Sequence, residues 1–198
     1  MDITLHLLST KEIEANEELI LNAIDKERII KANRYIKRND YLLSIGGSYL
    51  INKYTGPLSI KYLDSGKPYK DNIEFSLSHS NEYVILATSN SPIGIDIEKI
   101  KDINPNLIDY SFSESDVKEI KTKEQFFSRW VLKESLGKCI GTGLKGKIKE
   151  IPSTEGLFNY MGESFSSKSI KYEDYMIGVC IKKNNKEINI IRIEVESI

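Results

Sequence analysis

Ile3, Leu5 and Leu7 alternate with polar positions, which predicts a first strand with one buried face. Residues 14–31 are rich in good helix formers, with Leu19, Ala23 and Ile24 on one face, and predict a helix. A second helix is expected over about 40–53, with Thr55-Gly56-Pro57 as its stop. Residues 62–69 carry turn chemistry. Ile73, Phe75 and Leu77 then alternate, followed by apolar runs at 83–87 and 93–97. Ser, Asn, Gly and Pro separate them, so three short antiparallel strands are expected. Residues 101–105 read as a linker. Helices are expected over 113–120 and 123–139, and strands over 170–172, 176–181 and 188–195. Helices and strands, then helices and strands again, predict an α+β fold with two similar halves, residues 1–100 and 101–198.

Composition changes this picture little. With 198 residues, 40% hydrophobic and 29% charged, the chain matches a globular protein of one domain or two small halves. It carries 28 Lys and Arg against 29 Asp and Glu, which argues against a globally basic nucleic-acid binder. Cys139 and Cys180 make no disulfide framework, so a thiol-reduced cytoplasm is the expected compartment. The first residues lack the basic and apolar regions of a signal peptide. The longest uncharged apolar-rich stretch, 41–52, is too short to cross a bilayer. One region departs from neutrality: residues 26–38 hold six Lys or Arg against one Glu. There Arg28, Lys31, Arg34 and Arg38 would stripe one side of a continuous helix, fit for phosphates, an acidic partner or plain solvation.

Three places could carry chemistry. In Ile93-Gly-Ile-Asp-Ile-Glu98, strand alternation buries the isoleucines and puts Asp96 and Glu98 on the other face with Gly94. Two carboxylates about 4 Å apart cost on the order of 4 kcal/mol at an effective dielectric of 20, and about 1 in water. Either solvent screens such a pair, as on an amphipathic edge strand, or a cation compensates it. Oxygen ligands at an open face suit Mg²⁺. In 126–138, Phe127, Trp130 and Val131 form an apolar stripe, and Glu134 lies beside it with Lys138 one turn on. The pair is either an ordinary surface ion pair or a carboxylate that needs a shared cation. In Phe75-Ser-Leu-Ser-His-Ser80, His79 falls on the face of Phe75 and Leu77, where a hydrogen-bonded core histidine is the plain expectation. His6 sits in a strand without chemical company and reads as structural. Two histidines without a cysteine cluster argue against common zinc sites, and no G-x-S-x-G elbow supports a hydrolase. Residues 141–148 match part of a phosphate-binding loop. However, Ile148 stands where the magnesium-binding hydroxyl belongs, and the run follows a helix, so Gly141 and Gly143 read as helix-stop glycines.

Taken in order, Lys67-Pro68, Ser78-His79-Ser80, Gly94-Ile-Asp-Ile-Glu98, Trp130-x-x-Lys-Glu-Ser135-x-x-Lys138 and Gly141-x-Gly-Leu144 resemble the 4′-phosphopantetheinyl transferases of the surfactin-synthetase-activating type. The resemblance covers about residues 26–144. It implies two pseudo-twofold-related α/β halves with coenzyme A and Mg²⁺ in the cleft between them. A serine of an acyl or peptidyl carrier protein would attack the β-phosphorus, releasing adenosine 3′,5′-bisphosphate. Carried over by position, Asp96, Glu98 and Glu134 would hold Mg²⁺, with Glu134 as the base for the serine. Ser78, His79 and Lys138 would contact phosphates, with Lys67 and Pro68 beside the nucleotide. Arg28, Lys31 and Ser44 would lie near the 3′-phosphate. The chain departs from the family at Leu43, where a basic residue is common, and at Asp116, where some members have a catalytic Glu. Carrier proteins of this kind are acidic, which suits the basic segment; neither nucleic acid nor membrane is an expected partner. A non-catalytic relative that binds carrier protein and coenzyme A, and a metal-dependent nuclease, are the competing readings. Binding that persists at physiological salt would mark the nuclease.

Overall fold

The first alternating segment is strand β1, Asp2–Ser9, and the chain then forms α1 (Thr10–Ala15), α2 (Glu17–Ala23), α3 (Lys26–Ala32) and α4 (Arg38–Thr55). Strands β2 (Lys61–Tyr62), β3 (Pro68–Tyr69), β4 (Glu74–Ser80), β5 (Tyr83–Ser89) and β6 (Ile93–Lys99) follow. Helices α5 (Pro105–Ser111), α6 (Glu114–Glu119) and α7 (Lys123–Ile140) precede β7 (Gly156–Tyr160), β8 (Glu163–Tyr172), β9 (Tyr175–Lys182) and β10 (Ile190–Val195). This computed structural model describes residues 2–57, 60–62, 66–71, 73–144, 148–182 and 187–198. Parts of the expected turn (63–65) and of the glycine run (145–147) lie outside the described residues.

The architecture is α+β, with two four-stranded sheets and a small β2–β3 ribbon among the described residues. One sheet runs β10-β1-β5-β4 and the other β6-β9-β8-β7. Among the described residues, only β1 and β10 pair in parallel; the other paired strands are antiparallel. The sheets share a core in which Leu5, Leu7 and Ile85 face Ile95, Ile97, Ile177 and Val179. Alternation then sends Val84 and Leu86 to the opposite face of the first sheet, against α1 and α4. The opposite face of the second sheet receives α7, with Leu136 and Cys139 packed on Phe165 and Cys180. The order is therefore helices, sheet, sheet, helix. Burying each large aliphatic side chain stabilises by about 1.5–3 kcal/mol, and both sheets are lined with them.

Several expectations need correction. Residues 14–31 are not one helix. The Asn16 side chain bonds the Glu12 carbonyl at 3.0 Å and ends α1, and Ile24 is extended. The phase shifts accordingly: Ile20 is buried while Leu19 is 59% exposed. The basic stripe breaks for the same reason, because α3 ends at Ala32 and α4 starts at Arg38. Helix α5 follows the expected linker, signalled by Asn104 as N-cap with Pro105 in the first turn. β7 was not expected. Sheet membership also crosses residue 100. β6 pairs with β9, and β10 pairs with β1, so each sheet takes one strand from the other side.

Candidate active site

Helix α7 sets the site. Thr122 and Gln125 form a capping box at its start, and Gly141 closes it in the left-handed region at φ 78°. Gly143 donates its N–H to the Gly137 carbonyl at 3.1 Å, completing the stop. Two strand glycines decide how near the helix comes. A Cβ on Gly94 would lie 1.9 Å from the Ser135 carbonyl oxygen, and one on Gly178 2.4 Å from that of Val131. Gly178 is also the cross-strand partner of Asp96. The glycines let the helix backbone rest on the sheet, and Asp96, Glu98, Glu134 and Lys138 meet at that contact.

Asp96 is buried, with 4% of its surface exposed. Its Oδ1 accepts from Lys138 Nζ at 2.7 Å and from Ser78 Oγ at 2.8 Å. Lys138 Nζ also reaches Ser78 Oγ at 2.9 Å. Asp96 Oδ2 is buried without a hydrogen-bond partner. Ser80 Oγ donates to Glu98 Oε2 at 3.3 Å. Burial and then the Asp96 charge push the Glu98 carboxyl up. Glu134 is pushed to about 7 by burial and by Asp96, with Glu98 adding and Lys138 opposing. Three acidic groups thus share one field with one ammonium, and one of their oxygens, Asp96 Oδ2, is buried without a partner. Three carboxylates of this kind could take a hard divalent cation.

The expected phosphate and nucleotide contacts other than Ser78, which is buried against Asp96, fall in two adjoining cavities. One, of about 280 Å³, is lined by Lys67, Pro68, Lys138, Gly141 and Gly143. The other, of about 310 Å³, holds Arg28, Lys31, Ser44, Pro68 and His79. They share Gly66, Pro68 and Leu77 and so read as one groove. Arg28 Nε donates to Ser48 Oγ at 3.1 Å, its guanidinium also meets the Tyr62 hydroxyl, and Lys31 Nζ stands 4.9 Å from the Tyr62 ring centre. Lys67 Nζ contacts the Ile93 carbonyl at 3.5 Å. His79 is not a core residue. It shares the face of Phe75 and Leu77 but is exposed at the strand end, on the groove wall. Desolvation there, then the Lys138 charge, holds its pKa below the usual value.

Two neighbours do other work. Lys133 lies beside Glu134 in sequence but points away from it. Its ammonium, fully buried, donates to the carbonyls of Ile148 (2.9 Å) and Ile151 and stands over the Phe112 ring. Burial lowers its pKa to about 8. Asp116 is held by Arg129 at 2.8 Å and by Ser113 at 2.8 Å. Among the described residues, the trio of possible metal ligands within 4.8 Å of one another is His6, Glu194 and Glu196; Asp96, Glu98 and Glu134 are more widely spaced. His6 is therefore not without company. Lys53 Nζ already sits 2.7 Å from Glu196 Oε2, so a cation is in place there. Sequence reasoning named Ser80 within a motif without giving it a role, and missed Tyr62. Ser80 had a signal in the alternate serines of 76–80; Tyr62 had none.

The chain is similar to known proteins. Residues 92–180, which span β6, α7 and β9, match the family model described as the 4′-phosphopantetheinyl transferase superfamily. The chain is 35% identical over 136 residues to the 4′-phosphopantetheinyl transferase gsp of Aneurinibacillus migulanus, covering 61% of this chain and 57% of that protein. It is 30% identical over 148 residues to a 4′-phosphopantetheinyl transferase of Bacillus subtilis, covering 65% of each. It is 27% identical over 148 residues to the 4′-phosphopantetheinyl transferase Sfp of Bacillus subtilis strain 168, covering 66% of each. The chain thus spans less than two thirds of the length of these relatives. In residues 92–180 the chain is thus similar to the 4′-phosphopantetheinyl transferase superfamily.

Proposed function

We propose that this protein transfers the 4′-phosphopantetheine group of coenzyme A to a serine of an acyl or peptidyl carrier protein, with Mg²⁺. The observation that carries the reading is Asp96 Oδ2, buried and unpartnered on a carboxylate that couples to Glu134 and holds Lys138, one of four cationic side chains lining the groove. Asp96, Glu98 and Glu134 would hold Mg²⁺, and the raised carboxyl pKa values of Glu98 and Glu134 and the orphaned oxygen of Asp96 fit an ion that takes oxygen ligands. When bound, Mg²⁺ supplies positive charge against a diphosphate.

The remaining roles belong to side chains. Lys138 and Ser78 face the diphosphate, with His79 on the adjoining wall. Arg28 and Lys31 receive the nucleotide's 3′-phosphate beside Ser44, and Lys67 and Pro68 lie along the nucleotide. Glu134 takes the proton of the carrier serine as its Oγ bonds to the β-phosphorus. The bond from that phosphorus to the oxygen of adenosine 3′,5′-bisphosphate breaks, and that product leaves. Transfer of this kind rests mainly on positioning and charge neutralisation. Lys138 rests on Asp96 here, and its ammonium would be left for phosphate with a divalent ion held by the carboxylates. An acidic carrier suits the basic segment 26–38 as electrostatic steering.

Topology supports two equivalent halves. β1, α4, β4 and β5 give a sheet in the order first-third-second, and β6, α7, β8 and β9 give the same order. On this reading β10 is an addition to the first half, and the groove lies where the halves meet. Two free thiols, Cys139 and Cys180, suit a reducing cytoplasm. Among the described residues, no helix is long and apolar enough to cross a membrane.

The test is to incubate the protein with coenzyme A, Mg²⁺ and an apo-carrier protein and to weigh the carrier. The expected result is a gain of one phosphopantetheine, abolished by Asp96→Ala or Glu134→Ala. Coenzyme A binding with no gain in mass would overturn the catalytic reading.

A further inference from the structure

The two sheets meet through serines. Ser76 Oγ accepts from the Ile95 N–H at 3.0 Å, Ser78 Oγ from Ile97 at 3.4 Å, and Ser80 Oγ from Lys99 at 3.1 Å. Each step of two along β4 matches a step of two along β6, so the register is constant. A second series accompanies it: Ser78 Oγ donates to Asp96 and Ser80 Oγ to Glu98, each one residue before the N–H that the same hydroxyl accepts. The position matching Ser76 is Gly94, where α7 leaves no room for a side chain. All three serines are buried. β6 is the edge of its sheet, and β4 the edge of the other. Side-chain oxygens therefore stand where a backbone ladder would otherwise be, and each N–H would lose its partner if its hydroxyl were removed.

We infer that Ser76 and Ser80 are positioning residues: they fix β6 in register against β4, so that the Asp96 and Glu98 carboxylates face α7 at the height of Ser78 and Glu134. Ser76 touches neither carboxylate; it acts through the Ile95 N–H. Ser80 acts through both the Lys99 N–H and Glu98. A slip of one residue would bring isoleucines to the acid cluster. The consequence for ion binding rests on the proposed function, whereas the register does not.

The experiment uses the full chain with Ser76→Ala/Ser80→Ala and, as conservative control, Ser76→Thr/Ser80→Thr. Amide hydrogen exchange is followed at Ile95, Lys99 and Val179, and Mn²⁺ binding is titrated as the probe ion. The alanine pair is expected to speed exchange at Ile95 and Lys99 roughly tenfold, as loss of one hydrogen bond each implies, and to leave Val179 on β9 unchanged. Mn²⁺ binding should weaken by about the same factor, and the threonine pair should restore both. Unchanged exchange at Ile95 and Lys99, or equal acceleration at Val179, would overturn the inference. Altered exchange with unaltered Mn²⁺ binding would remove the positioning role. Failure of wild-type protein to modify a carrier would instead strike the proposed function and leave the exchange result standing.

Discussion

Asp96 is the residue on which the site turns, because it is buried with one oxygen satisfied twice and the other not at all. Glu134 adds a second carboxylate to a place that burial and like charge already make unfavourable. Such a cluster weakens the fold in return for a binding site. Glu134→Gln is therefore expected to abolish transfer while raising the thermal midpoint measured without divalent ions. A midpoint lowered by several degrees would show that Glu134 is structural. Lys138→Ala works in the other direction, since it strips the ammonium from Asp96. A partly exposed pair of this kind should lose about 1–3 kcal/mol, read by urea unfolding. At this scale much was legible. The alternation of Gly94, Asp96 and Glu98 and the helical step from Glu134 to Lys138 follow from backbone geometry alone. His79 was harder. Alternation assigned its face, but whether a helix covers the end of that face is a matter of tertiary packing.

At the scale of elements, the site depends on how closely α7 lies on β6 and β9. Gly94→Ala places a methyl against the Ser135 carbonyl and the Cys139 amide, neither of which can rotate away. It is expected to cost at least about 3 kcal/mol in urea unfolding, at the upper end for overpacking. Transfer activity in the surviving folded fraction should fall too, because the helix carries Glu134 and Lys138. An alanine tolerated within 1 kcal/mol would mean that the helix can shift freely. Gly94 could be read from sequence as a member of the acid face, but not as the point where a helix backbone touches. The same limit explains residues 14–31: helix propensity is continuous there, while the caps and phase breaks that split it depend on Asn16 and on packing against α4.

In the whole molecule, the two sheets exchange strands, and local pattern does not specify long-range partners. β6 reads equally well as a third strand after β5. β10 is fastened to β1 and also to α4, through Glu196, which receives Lys53 at 2.7 Å and His6 at 3.0 Å together with the Tyr54 hydroxyl. Burial pushes the Glu196 carboxyl up, but these hydrogen bonds outweigh it and hold the group below its usual value. A depressed carboxyl contributes stability above the unfolded value of 4.5, and that contribution is lost as pH falls through the lower folded value. Glu196→Gln should therefore cost about 1–3 kcal/mol at pH 7 in urea unfolding, and the difference from wild type should shrink at acid pH. A constant difference across pH would contradict the linkage.

The two acidic clusters, Asp96 with Glu98 and Glu134, and His6 with Glu194 and Glu196, also set the sharpest test of the account. Mn²⁺ binding is titrated by electron paramagnetic resonance in wild type, Asp96→Asn, Glu134→Gln and His6→Ala. The account predicts one ion per chain, lost in the first two variants and kept in the third. Binding that survives Asp96→Asn and disappears with His6→Ala would place the ion at the other cluster and contradict it.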